Sequence, residues 1–123
     1  PEGARRQFSS LIEQAQSSIL LIDGKLSDPG ILSLLARKRA AGVAVHIHDG
    51  RRVGSLKSHG KIMLIDGRRA VAGSLALTPL SLDFHREVAI ETTEPAAIAD
   101  VAALFRSLGF AAAETVTAAA GES

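Results

Sequence analysis

His59 and Lys61 stand two positions apart in the segment SHGKIMLID, Ser58 to Asp66. The segment reads as a strand, where residues i and i+2 share a face. The imidazole and the ammonium therefore point the same way. Asp66 lies seven residues from His59 and has the opposite parity. Seven residues of strand span roughly 23 Å, so Asp66 does not bond His59 within the strand. A histidine working as nucleophile or acid/base there needs another carboxylate to orient it.

Asp66-Gly67 is a hairpin signal between KIMLI and AVAG. Two registers are open. A two-residue loop sets His59 opposite Ser74. A shift by one residue sets Lys61 opposite Ser74 and His59 opposite Ala76. Either register brings Gly73 and Ser74 beside the His/Lys face. An imidazole, a fixed cation, a hydroxyl and a glycine that permits close approach suit a tetrahedral oxyanion, which means phosphate. The plainer reading is a sheet-edge His and Lys that face solvent. Residue types alone leave both open.

The elements that must carry these residues alternate. Phe8, Leu11, Ile12 and Ala15 recur at helical spacing, which predicts an amphipathic helix over Gly3–Gln16. SILLID, Ser18–Asp23, is a short apolar run that suits a buried strand. Asp28-Pro29 reads as an N-cap followed by proline at the first helical position, and Gly42 stops that helix after Ala41. VAVHIH, Val43–His48, alternates, with Val43, Val45 and Ile47 on one face and Ala44, His46 and His48 on the other. After the hairpin, Arg86–Glu91 reads as another strand. Pro95 opens a last helix whose Ile98, Val101, Ala102, Phe105 and Leu108 share a face, ending at Gly109. The order implies an α/β domain, a mixed β-sheet flanked by helices. It occupies residues 1–110, and residues 111–123 form an Ala-rich tail or linker.

The chain has 123 residues, 46% hydrophobic and 22% charged, which fits one globular domain with a core of its own. The net charge of +1 does not announce a polyanion partner. Cysteine is absent, which excludes disulfides and thiolate metal sites. No apolar run reaches the roughly 18 residues of a membrane span, and no signal peptide is visible. The chain starts at Pro1 and reads as a piece of something longer.

His59, Lys61 and Asp66 fit the H-x-K-x4-D motif of the phospholipase D superfamily. Gly73-Ser74 falls at the spacing of that family's trailing GS pair, and TPLSLDFHRE resembles the segment that follows, up to a glutamate. The resemblance covers about Ser18 to Leu108. It implies a phospholipase D-like half-domain acting on phosphodiesters through a phosphohistidine, without metal or other cofactor. His59 then looks like the nucleophile or its acid/base partner, Lys61 like the phosphate clamp, and Ser74 like a phosphate donor. Glu87 looks like the carboxylate that orients the histidine. Asp66 looks like the motif's structural aspartate, satisfying the turn. Two positions depart from the pattern. GSxN is GSLA here, so Ala76 replaces an amide, and His85 stands where Asn is common. The alternative is a catalytically degenerate phosphate-binding or dimerisation module.

Superfamily members build one active site from two such motifs. No second H-x-K occurs in the chain; HIH and HRE do not qualify. The partner motif is therefore expected in a second copy of this chain, related by a two-fold axis, or elsewhere in the same polypeptide. The start at Pro1 and the Ala-rich tail favour the latter. The substrate is a phospholipid or a nucleic-acid phosphodiester, and the pattern looks most like the cardiolipin-synthase-like branch. With no Tyr or Trp, stacking platforms for single strands are scarce. Phe84 is the only aromatic close to the motif in sequence.

Other polar residues carry plainer readings. His46 and His48, with Asp49 and His59, suggest a metal site, but their spacing matches no metal signature, and they read as cleft-lining or surface histidines. Arg51, Arg52 and Lys57 form a solvated loop or steer a polyanion. Arg37, Lys38 and Arg39 complement a helix dipole. Asp23 and Lys25, at a strand end near the presumed cleft, receive no role.

Overall fold

The computed structural model describes residues 3–23, 26–49, 61–73 and 90–110. The elements in chain order are α1 (Gly3–Gln14), β1 (Ser18–Asp23), α2 (Pro29–Ala40), β2 (Ala44–His48), β3 (Lys61–Ile65), β4 (Arg69–Gly73), β5 (Ile90–Thr92) and α3 (Pro95–Ser107). The five strands form one mixed sheet in the order β2-β1-β3-β4-β5. β1 and β2 are parallel, and the remaining neighbours are antiparallel. The chain thus has the expected α/β architecture of a mixed sheet flanked by helices.

Local chemistry explains the start of α2 and the ends of α2 and α3. Asp28 caps α2, its carboxylate accepting the Ile31 N–H at 3.0 Å, with Pro29 in the first turn. The buried carboxylate also meets Arg5 of α1 at 2.6 Å, which ties the starts of the two helices together. The basic triplet of α2 does more than offset a dipole. Lys38 Nζ donates to the Glu13 carbonyl at 3.0 Å, near the end of α1. Arg39 donates to the Val45 carbonyl of β2 at 2.7 Å. Gly42 and Gly109 terminate α2 and α3 with φ of +100° and +83°.

Every residue of β1 is buried, as a strand second from the sheet edge and covered on both faces requires. One face carries Ile19, Leu21, Met63, Ile65 and Val71 against Phe8, Leu11 and Ile12 of α1 and Ile31, Leu34 and Leu35 of α2. The opposite face carries Leu20, Ile22, Leu64 and Ala70 against Phe105 of α3, with Ile98, Val101, Ala102 and Leu108 beside it. The helical face read from the sequence of α3 is therefore the one that packs. Ile47 departs from the expected pattern. It is 42% exposed, next to the end of the edge strand β2, whereas Val45 on the same face is buried. Of the strand expected over Arg86–Glu91, positions 90 and 91 begin β5, and 86–89 lie outside the described residues.

The hairpin register differs from both expected alternatives. Lys61 pairs with Gly73 and Ile65 with Arg69. The cause is a three-residue connection. The Arg68 N–H donates to the Ile65 carbonyl at 3.0 Å, closing a turn whose two central residues have positive φ, 55° at Asp66 and 66° at Gly67. Positive φ at both central positions is the mark of a primed hairpin turn. Arg68 is the extra residue that moves the pairing by one.

Candidate active site

The sheet gathers one set of strand ends. Asp23 ends β1 opposite Lys61, the start of β3, and Lys61 lies opposite Gly73, the end of β4. His48 ends β2 opposite Ile22, and Ile90 starts β5 opposite Ala72. The ends of β1, β2 and β4 and the starts of β3 and β5 thus share one end of the sheet. His59 precedes Lys61 by two residues, and Ser74 follows Gly73 by one. His59, Ser74 and Glu87 lie outside the described residues, as do Ala76, Phe84 and His85.

Asp23, Lys61 and Gly73 form a transverse row across three strands, on the face packed by α1 and α2. Lys61 is only 1% exposed and Asp23 3%. The Lys61 ammonium sits 4.4 Å from the centroid of the Phe8 ring of α1, over its face. This is the geometry in which a ring quadrupole attracts a cation. Directly opposite residues of an antiparallel pair bring their Cβ atoms within about 5.5 Å. Asp23 and Lys61 are thus cross-strand neighbours on one face, with the Phe8 ring under the ammonium. Gly73 removes the side chain from the row on the other flank of Lys61.

Two of these neighbours were missed in the sequence. Phe8 reads there only as a core residue of an amphipathic helix, and Phe84 as the aromatic near the motif; the structure puts Phe8 on Lys61. Asp23 received no role. The signal available was a carboxylate ending an otherwise apolar strand, since a charge at a buried position requires a partner.

Asp66 lies at the opposite end of β3 from Lys61. Its carboxylate accepts the backbone N–H groups of Gln16 (3.0 Å), Ser17 (2.7 Å) and Ser18 (3.0 Å) and the Ser17 hydroxyl (3.0 Å). In return the Asp66 N–H donates to the Ser18 carbonyl at 2.9 Å. Burial by itself raises its pKa. The N–H groups of Ser17, Ser18 and Gln16 outweigh burial and hold the carboxyl below its ordinary value. Asp66 therefore binds the hairpin turn to the α1–β1 junction.

His46 and His48 face the other side of the sheet from Lys61, in register with Leu20 and Ile22. Both rings pack on Phe110, at centroid distances of 6.2 and 5.7 Å. His48 Nδ1 is 3.7 Å from Asp49 Oδ1. Among the described residues no group of three or more His, Cys, Asp or Glu side chains converges as a metal site.

The model of the cardiolipin synthase PLD-like domain matches residues 37–108, more than half of the chain. The chain belongs to this family. No curated protein matches it. The matched stretch runs from the last turn of α2 through α3 and contains the H-x-K-x4-D and GS positions. PLD-like domains generally cleave or exchange phosphodiesters and work as paired halves. Phe8, Asp23 and the Gln16–Ser18 junction, which touch or flank Lys61 and Asp66, all precede the matched stretch.

Proposed function

We propose that this PLD-like domain supplies half of an active site that cleaves or transfers a phosphodiester through a phosphohistidine. The observation that carries the reading is the buried Lys61 ammonium opposite Gly73, at the end of the sheet that leads in sequence to His59 and Ser74. A cation that has lost most of its water acts strongly on an anion beside it. Gly73 on its flank adds no side chain to compete for that cation.

In this reading a ring nitrogen of His59 attacks phosphorus and the bond to the leaving oxygen breaks. A histidine of the second half protonates that oxygen. Water or an alcohol then attacks the phosphohistidine, giving hydrolysis or transfer. Lys61 and the Ser74 hydroxyl stabilise the charge on the non-bridging oxygens. Glu87 orients His59. The carboxylate of Asp66 is engaged by Gln16, Ser17 and Ser18 at the far end of β3, which supports leaving orientation to Glu87. The substrate class is a phospholipid or nucleic-acid phosphodiester, with the lipid class favoured by the cardiolipin synthase family.

The test is release of nitrophenolate from bis(p-nitrophenyl) phosphate, with EDTA present. The expected result is turnover that survives EDTA and disappears in His59→Ala, with phosphate on His59 in mass spectra after an acid-free quench. Full turnover in His59→Ala, or loss in EDTA restored by a divalent ion, overturns the mechanism. Ala76, where the superfamily pattern has an amide, favours one second reading: a degenerate module that binds phosphate or a second copy without turnover.

A further inference from the structure

Lysine is almost never fully buried unless it is paired, and an isolated buried ammonium gives up its proton, its pKa falling by as much as about 3–5 units. Lys61 is 1% exposed. A clamp for a phosphate anion is useful only while it is charged. Something in the fold must keep the proton on Lys61, and candidates come from the elements packed around it. β4 offers Gly73, which has no side chain. α1 offers the face of Phe8 at 4.4 Å. Its cation Arg5 is engaged by the α2 cap Asp28 at 2.6 Å. β1 offers Asp23, in register with Lys61 and 3% exposed.

We propose that Asp23 and Phe8 are positioning residues for Lys61, the carboxylate as its counter-charge and the ring as the platform that fixes the ammonium beside Gly73. The two act differently. The carboxylate sets the charge state, because a neighbouring anion favours the protonated lysine. The ring sets position, because its attraction is strongest over its face. Together they make the clamp a preorganised charge that reorganises little when an oxyanion arrives. Both residues lie before the stretch matched by the family model, so the N-terminal α1–β1 unit belongs to the site as well as to the core.

The role of Lys61 as clamp rests on the proposed function; its charge state does not, and the experiment separates them. The Cε methylene signal of Lys61, assigned through Lys61→Arg, is followed by NMR in the full chain from about pH 6 to about pH 11. The midpoint of the wild-type chain is expected at or above the value of free lysine, about 10.4. Asp23→Asn should lower it by at least about one unit. Phe8→Leu, which keeps an apolar side chain in the core, should lower it less, by under about one unit. An Asp23→Asn midpoint equal to that of the wild type overturns the inference. If Asp23→Asn does not fold, the wild-type titration decides: a midpoint well below that of free lysine overturns the inference, and one at or above it supports it. Turnover of bis(p-nitrophenyl) phosphate is read in parallel. An inactive chain with the predicted titrations defeats the functional reading and leaves the pairing standing. In an active chain, Asp23→Asn should add an alkaline loss of kcat/KM at the lowered Lys61 midpoint, which a general loss of folding does not produce.

Discussion

Asp66 accepts the Ser17 N–H at 2.7 Å across 49 positions of sequence. One carboxylate at the tip of the β3–β4 hairpin thereby binds three successive N–H groups where α1 passes into β1. The contact joins the hairpin tip to the junction that follows α1, the helix that carries Phe8. The aspartate of the H-x-K-x4-D motif is a clasp between two parts of the fold, and the lysine of the same motif is at the other end of the strand.

Asp66→Ala should lower the free energy of unfolding by about 2 kcal/mol. It removes charge-assisted hydrogen bonds and leaves an alanine at a positive φ. Asp66→Asn tolerates that backbone and keeps one acceptor oxygen, so its loss should be about half as large. Urea denaturation measures both. An Asp66→Asn variant as stable as the parent chain would show that the charge contributes nothing.

The acid limb of stability should carry the Asp66 signature. Its pKa is lowered in the folded state, so between the folded and unfolded values the unfolded chain binds the extra proton, and stability rises with pH there. The contribution is complete above the unfolded value of about 3.9 and is lost as pH falls through the folded value. The difference in stability between the parent chain and Asp66→Asn should therefore shrink below about pH 4. A difference independent of pH across that range would contradict it.

Glu87→Gln and Asp66→Asn should separate orientation from structure. The first should reduce kcat on an aryl phosphodiester by about 10²-fold or more, the range of general acid–base effects. The second should leave kcat per folded molecule close to that of the parent chain. The reverse result would assign the histidine to Asp66. Lys61→Ala should cost about 3 kcal/mol of transition-state stabilisation, as for removal of a key oxyanion donor. Ala76→Asn should raise the rate if the GSxN amide position faces phosphate.

Turnover by this chain alone should follow pairing. One chain carries one histidine of a required pair, so specific activity should rise with protein concentration together with the dimer fraction seen by light scattering. A strict monomer with concentration-independent specific activity would defeat the half-site reading.

Local sequence rules determined the elements. The α1 and α3 faces, the Ser18–Asp23 strand, the Asp28-Pro29 cap and the Gly42 stop each rest on periodicity or on one residue's backbone preference, so they are legible without tertiary context. Strand parity in the sequence predicts His59 and Lys61 on one face; Lys61 begins β3, and His59 lies outside the described residues. Tertiary structure decided the rest. The register Lys61↔Gly73 depended on Arg68 entering the turn connection, and a dipeptide signal does not count loop residues. The pairing of Asp23 with Lys61 depended on which strand lies beside β3, and the Phe8 platform on how α1 crosses the sheet. The partners of Asp66 are backbone N–H groups, which every residue type but proline carries, so no side-chain pattern points to Gln16, Ser17 and Ser18. Hydrophobic periodicity specifies which face is buried; what a buried charge meets there is set by strand order and helix crossing, which arise only when distant segments pack.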